Sequence, residues 1–240
     1  MVRVLILGGT AEAAALARAV AGRVEVVSSL AGRAGLPDLP GRVRVGGFGG
    51  AAGLEAYLRA EAIERVIDAT HPFAARISAH AETACRAAGI PRLVLTRPEW
   101  PRWPEDRWTL VDSVAEAAAR LPGLGRRAFI TVGAGEVAGF AAVRGVWLLV
   151  RLLKDEPLPL ADYHVVTGRP PFSVEAEQAL MQAHGIDVLV TKASGGDATS
   201  AKIAAARLLG LPVLMIRRPP PPAGDSVDSV AAAATWLEGL

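Results

Sequence analysis

Short, continuous apolar runs rich in Val, Ile and Leu recur along this chain, and Ala-rich amphipathic stretches separate them. That alternation restricts the fold more than any other feature. A strand that is apolar at every residue must be covered on both faces. Parallel neighbours also need crossover connections, and helices in those crossovers provide the cover. In the first half the pattern predicts strands at Val2–Leu7, Val24–Ser28, Val43–Val45, Arg65–Ala69, Arg92–Leu95 and Thr109–Val111. It predicts helices at Glu12–Ala21, Leu54–Ala62, Ala75–Ala88 and Val114–Arg120. The last of these opens with Ser113 and Glu116 at capping-box spacing.

A Pro/Gly turn at Leu121–Gly125 interrupts the pattern, which then restarts. Strands are predicted at Arg127–Val132, Val146–Leu152, Tyr163–Thr167, Val188–Thr191 and Pro212–Ile216. Helices are predicted at Glu136–Ala142, Val174–Ala183, Thr199–Leu209 and Val227–Leu237, with Pro219–Pro222 a stiff surface segment. The expectation is two successive α/β units, 1–122 and 123–240. The length of 240 residues accommodates both.

Composition removes several function classes. The 26 basic and 24 acidic residues leave a net charge of only +2. No dominant attraction to nucleic acid or a membrane surface is therefore expected. Cys85 is the only cysteine, which excludes an intramolecular disulfide and any Cys-rich metal site. The four histidines show no ligand spacing, so no metal site is expected. Glu12 and Arg18 interrupt the apolar opening, and no run approaches the roughly 18 residues of a membrane span. The chain reads as soluble and cytoplasmic.

The chemistry-bearing residues collect where strands give way to helices. Leu5–Leu7 runs into Gly8, Gly9 and Thr10 and then a helix. This geometry presents backbone N–H groups and a helix dipole to a phosphate. The segment departs from the G-x-G-x-x-G fingerprint, although Ala13 is small enough for close helix–strand packing. A plain strand–helix turn is the alternative. Glu12 is awkward beside a phosphate, and either bonds a sugar hydroxyl or caps the turn. Ser28 and Ser29 stand where NAD enzymes usually carry an acid, and Arg33 follows. That combination favours NADPH over NADH if the turn holds a dinucleotide, since an acid there would repel a 2′-phosphate. A solvated loop arginine is the competing account of Arg33.

Asp68-Ala69-Thr70-His71-Pro72-Phe73 closes the fourth strand and should face the same crevice. Pro72 holds His71 extended, and Phe73 can flank a planar ring. His71 can donate a hydrogen bond, move a proton or cap the next helix; capping or cofactor contact suits it better than acid catalysis. In the second half Lys192, Ser194, Gly195 and Gly196 form another strand–helix loop suited to an anion, with a flexible surface loop as the alternative. Phe172 in Gly168–Ser173, and Thr131–Gly135, also lie at strand ends and can line the same cleft. Trp100, Trp103 and Trp108 alternate with prolines and read as a packed loop rather than a nucleic-acid stacking platform.

Taken together, LILGGTAEA at 5–13, SSLAGR at 28–33, DATHPFA at 68–74, RPPFSVEAE at 169–177, VTKASGG at 190–196 and KIAAARLLGLPV at 202–213 resemble the precorrin-6A and cobalt-precorrin-6A reductase family of cobalamin biosynthesis. The resemblance covers essentially the whole chain. It implies two Rossmann-like domains with a cofactor and substrate cleft between them and possible exchange of a strand. It also implies NADPH-dependent reduction of one double bond in an anionic tetrapyrrole, precorrin-6A, to give precorrin-6B. Gly8, Gly9, Thr10, Glu12, Ser29 and Arg33 would hold the cofactor, with Thr70, His71, Pro72 and Phe73 on its nicotinamide side. Lys192, Ser194, Gly195, Gly196 and Phe172 would meet the cleft or substrate. Lys192 and His71 are the available proton-donor candidates. Ala193 departs from the family, where relatives often carry an acid, and so does Arg169-Pro170-Pro171, where many have a glycine before the proline. The rivals are a non-catalytic NADP-sensing module and an NADPH reductase of another anionic substrate. Oligomeric state is open.

Overall fold

The structure, a computed structural model, describes residues 1–32 and 38–239. The chain divides into two compact units: Met1–Pro98 with Pro219–Leu240, and Glu99–Arg218. In the first unit β1 (Arg3–Leu7) leads through the glycine turn into α1 (Ala11–Ala19). Then follow β2 (Glu25–Leu30), β3 (Arg42–Val45), α2 (Ala51–Ala60), β4 (Arg65–Asp68), α3 (Ala75–Ala88) and β5 (Arg92–Leu95). The β1 side chains show why the run is apolar throughout. Val4 and Ile6 enter one core with Leu16 and Ala17 of α1. Leu5 and Leu7 enter the opposite core with Leu54 and Leu58 of α2. Successive strand residues point to opposite faces, so two buried faces demand an apolar residue at every position.

The second unit begins with β6 (Arg107–Val111) and α4 (Val114–Arg120), continues through β7 (Arg127–Ile130), α5 (Ala134–Val137), β8 (Trp147–Leu152), β9 (Tyr163–Thr167) and α6 (Val174–Ala183), and ends with β10 (Val188–Lys192), α7 (Ala201–Leu208) and β11 (Pro212–Ile216). Its core joins Phe129, Leu149 and Leu189 of the sheet to Met181 of α6 and Ile203 of α7. Ser113 caps α4 as expected, its Oγ accepting the Glu116 N–H at 3.1 Å. The Glu116 carboxylate accepts the N–H of Asp112 at 2.8 Å, one residue before the cap itself.

The chain then returns to the first unit as β12 (Ser226–Val227) and α8 (Val230–Glu238), whose Ala233 and Leu237 join the core around Leu16. The first sheet has the order β12-β5-β4-β1-β2-β3 and the second β6-β11-β10-β7-β8-β9, and every pairing between these strands is parallel. The first sheet therefore uses five strands consecutive in the chain and completes itself with β12, whereas the second uses the six consecutive strands β6 to β11. Both have the doubly wound order, with the point of reversal between β1 and β4 in the first sheet and between β7 and β10 in the second.

This arrangement corrects the expected boundary at 122. The units divide at Pro98/Glu99 and again at Arg218/Pro219. The strand expected to finish the first unit hydrogen-bonds instead to β11, with Trp108 opposite Val213 and Leu110 opposite Met215. Two helix expectations change as well. The predicted Glu136–Ala142 helix is only α5, followed by a 3-10 turn at Ala138–Phe140. At Gly139 the Val114 side chain occupies the place of a β-carbon, 2.4 Å from where one would lie. The helix predicted from Val227 starts at Val230, because Val227 pairs with Leu95 in β12 and Ser229 is the helix cap. Among the described residues no helix is long and apolar enough to cross a membrane.

Candidate functional site

In the first unit the parallel register sets Leu7 beside both Ser29 and Asp68. The loops after β1, β2 and β4 thus emerge together at the carboxyl edge, where open α/β sheets bind their ligands. Gly8 donates its N–H to the Ser29 carbonyl at 2.9 Å. A β-carbon on Gly8 would lie 3.3 Å from Ala13 Cβ and 3.4 Å from Leu30 Cδ2, so the small pair Gly8 and Ala13 lets helix and strand close together. Gly9 has φ +104, a conformation that L side chains rarely adopt. Thr10 caps α1: its Oγ1 accepts the Ala13 N–H at 3.1 Å and donates to the Ala69 carbonyl at 2.8 Å. The remaining first-turn N–H groups of α1 have no intrahelical acceptor, and they face the side from which the chain enters.

Glu12 does not cap this turn. Its Oε1 lies 3.7 Å from Arg97 Nε, and Arg97 is only 8% exposed. Burial pulls the Arg97 guanidinium below its ordinary pKa, and the Glu12 charge opposes that shift. The carboxylate that looked awkward beside a phosphate therefore has an internal cation facing it. Ser28 and Ser29 are both buried at the end of β2, and Ser28 Oγ has no hydrogen-bond partner among the described residues. Arg33 lies outside the described residues.

At the end of β4, Asp68 accepts the Thr70 hydroxyl at 2.7 Å and the Thr70 N–H at 3.3 Å. Its other oxygen lies 3.8 Å from Arg92 Nη1, with both side chains buried. His71 Nδ1 accepts the N–H of Phe73 at 3.2 Å. The Phe73 ring stands 5.8 Å from the imidazole. Thr70, His71, Pro72 and Ser78, together with Thr96 and the Pro220–Pro222 segment, line a cavity of about 240 Å³. Thr70, His71, Pro72 and Phe73 thus gather at one carboxyl edge with Gly8, Gly9, Thr10 and Ser29.

The second unit carries its own loop cluster. Lys192 ends β10, and its ammonium forms an ion pair with Glu136 of α5. Gly195 and Gly196 follow with φ of 64 and 72. The carbonyls of this loop are tied down from outside it. Arg218 donates to Ala193 O at 2.7 Å and to Ser194 O at 2.8 Å, and Trp100 Nε1 donates to Gly196 O at 2.8 Å. Phe172 lies in the loop between β9 and α6, with the Arg151 guanidinium 4.0 Å from the centre of its ring. Arg151 in turn pairs bidentately with Glu177, which is 2% exposed. Trp100 of the loop packs against the core while Trp103 is 55% exposed; Trp108, also packed, lies in β6 rather than in the loop.

Sequence reasoning passed over Arg44, Glu136, Trp100 as a loop brace, and Arg218. Arg44 had one available signal. It belongs to the Arg-Val-Arg-Val strand beside β2, and register places it opposite Ser29. The other three meet the site only through contacts far apart in sequence.

The family model described as Precorrin-6x reductase CbiJ/CobK matches residues 3–238. A precorrin-6A reductase of Rhodococcus erythropolis is 51% identical, covering 100% of this chain and 99% of the relative. One from Mycobacterium tuberculosis (strain ATCC 25618 / H37Rv) is 47% identical, with coverage of 100% and 99%. A cobalt-precorrin-6A reductase of Salmonella typhimurium is 30% identical over 98% of this chain and 95% of its own. A solved structure titled CobK precorrin-6A reductase superposes with a TM-score of 0.94 at 42% identity, covering 99% of this chain and 96% of that one.

Proposed function

The chain belongs to the precorrin-6x reductase CbiJ/CobK family, oxidoreductases acting on a C=C bond, and on that premise we propose that it reduces precorrin-6A to precorrin-6B with NADPH in cobalamin biosynthesis. The observation that carries the cofactor assignment is the turn at Gly8, Gly9 and Thr10. Gly8 leaves no room for a larger side chain, Gly9 takes a positive φ, and Thr10 fixes the first helical turn. That is the shape needed for backbone N–H groups to approach a pyrophosphate closely. Ser29 suits the ribose, and Arg33, from the sequence, is one candidate cation for its 2′-phosphate. Glu12 stays with Arg97 and keeps its charge away from the phosphate.

When bound, NADPH supplies the hydride. The chain's own residues hold and orient. In the doubly wound order, the half of the edge above β4 and β5 suits the nicotinamide, and the cavity walled by Thr70, His71 and Pro72 opens there. Asp68 anchors the Thr70 hydroxyl, and the Phe73 N–H orients the His71 ring, so these groups have fixed positions before any ligand arrives. Fixed positions are what hydride transfer requires, because the donor and acceptor carbons must meet at close range. Lys192, Ser194, Gly195 and Gly196 suit the carboxylates of the tetrapyrrole, with Arg218 and Trp100 holding the loop's carbonyls away. Cytoplasmic location follows from that role.

Relatives named for the metal-free substrate are 43–51% identical, and those named for cobalt-precorrin-6A are 28–30% identical. That difference favours the cobalt-free macrocycle. The test is anaerobic oxidation of NADPH by purified protein supplied with precorrin-6A or cobalt-precorrin-6A, with product masses measured. A gain of two hydrogens on precorrin-6A, with slower turnover of the cobalt form, is expected. No oxidation with either substrate overturns the assignment.

A further inference from the structure

The end of β2 is where a Rossmann-type site meets the adenosine ribose, and what stands there decides between NADH and NADPH. In this chain the neighbouring strand supplies the charge. Arg44 lies opposite Ser29 in the β2–β3 register, and its Nη1 donates to Ser29 Oγ at 3.4 Å. The side chain reaches past the end of its own strand, where Nη1 donates to Gly46 O and Nη2 to Gly47 O, each at 2.6 Å. The guanidinium lies 3.7 Å over the Phe48 ring and 5.1 Å from the centre of Tyr57. Two carbonyls and two rings therefore fix its position at the carboxyl edge.

Among the described residues no carboxylate pairs with it there. All of these hydrogen bonds go to neutral oxygens. Among the described residues three of the five guanidinium N–H groups are used, leaving two for a further acceptor. Arg42, two residues earlier on β3, is the contrast: its guanidinium is bound to the Glu61 carboxylate and largely exposed. No acid replaces Ser28 or Ser29 to compete for the Arg44 donors.

We propose that Arg44 is the specificity-determining residue that recognises the 2′-phosphate of NADPH, with Ser29 holding its guanidinium in place. This assignment rests on the NADPH reading of the same edge. A planar guanidinium suits the task because it offers a phosphate two donors in one plane, which an ammonium cannot.

The test uses equilibrium binding of 2′,5′-ADP, 5′-ADP, NADPH and NADH to the full chain. The variants are Arg44→Gln, Arg44→Lys and, for comparison, Arg33→Ala. Arg44→Gln should weaken 2′,5′-ADP and NADPH by about ten- to a hundredfold, the range of a lost charged hydrogen bond, while leaving 5′-ADP and NADH within about twofold. Arg44→Lys should recover only part of the loss. A wild-type chain that discriminates, paired with an Arg44→Gln variant that discriminates equally well, overturns the role of Arg44 alone. Equal weakening of all four ligands also overturns it, because it marks a merely structural residue. Selective loss in Arg33→Ala only transfers the role to Arg33. A wild-type chain that binds 2′,5′-ADP no better than 5′-ADP overturns the NADPH reading itself, and the role of Arg44 with it.

Discussion

The Thr10 hydroxyl donates to the Ala69 carbonyl at 2.8 Å, so one side chain locks the first helix cap to the end of β4. The same oxygen accepts the Ala13 N–H. Thr10→Val keeps the shape and removes both bonds. It should lower stability by about 1–2 kcal/mol, the usual scale of a lost N-cap, whereas Thr10→Ser should stay near wild type. Chemical denaturation of the three proteins measures this, and equal midpoints would show that the hydroxyl is dispensable.

Gly9 tests the turn from the backbone side. With φ +104 it sits where an L residue costs about 1–3 kcal/mol. No neighbouring atom lies within 4 Å of a β-carbon there, so the penalty of Gly9→Ala is conformational rather than steric. The variant should be destabilised by that amount and should bind NADPH at least about tenfold more weakly, since the N–H groups lose their aim. Unchanged affinity in isothermal titration would remove the turn from the cofactor site.

Arg151 and Glu177 form a pair whose acid is 2% exposed. Arg151→Leu leaves that carboxylate without its cation, and the expected loss is about 3–5 kcal/mol. Adding Glu177→Leu should restore most of it, because removing both charges avoids the desolvation cost. Single variants and the double variant define the cycle by denaturant unfolding. A double variant as unstable as Arg151→Leu alone would put the cost in lost packing against Phe172 and Phe129.

Lys192 bears on substrate rather than cofactor. Its ammonium pairs with Glu136, so Lys192→Ala removes a positive charge and also leaves an acid facing any incoming carboxylate. KM for precorrin-6A should rise about tenfold with the dissociation constant of NADPH unchanged. Single-turnover rates at saturating substrate separate binding from proton donation. A rate that collapses when the site is filled would make Lys192 the acid, and the same measurement on His71→Ala asks that question of the imidazole.

The sequence made strands and βα turns legible because those signals are local. Both faces of β1 are buried, so Val4–Leu7 had to be apolar, and Gly8-Gly9-Thr10 had to end it. What escaped was pairing. β12 is two residues long, and β6 finds its partner in β11 about a hundred positions later. No apolar pattern specifies which sheet a strand joins. The site divided in the same way. Thr10, Ser29 and His71 announced themselves at strand ends, but Arg44 is one of 23 arginines, and Trp100 reaches Gly196 across 96 residues. The spacing of Glu12 and Arg97 likewise hides their approach to 3.7 Å.

Cys85 gives a prediction with a sign. Burial among Leu54, Ala81 and Ala84 disfavours the thiolate and pushes the thiol from its ordinary value near 9 to about 11; nearby Arg92 only partly offsets this. At neutral pH the folded protein should therefore resist alkylation, reacting with iodoacetamide at the rate of unfolding. The folded state also holds this proton across a window in which the unfolded chain releases it. The contribution to stability is fully present below pH 9 and is lost as pH rises from 9 through about 11. Burial likewise raises the Tyr57 phenol, which contributes to the alkaline loss as well. Comparing wild type with Cys85→Ala isolates the thiol, because Tyr57 is common to both. Their difference in unfolding free energy should shrink steadily between pH 8.5 and 10.5, values chosen to fall below and within that window. A difference that stays constant over that range would mean the thiol titrates alike in both states.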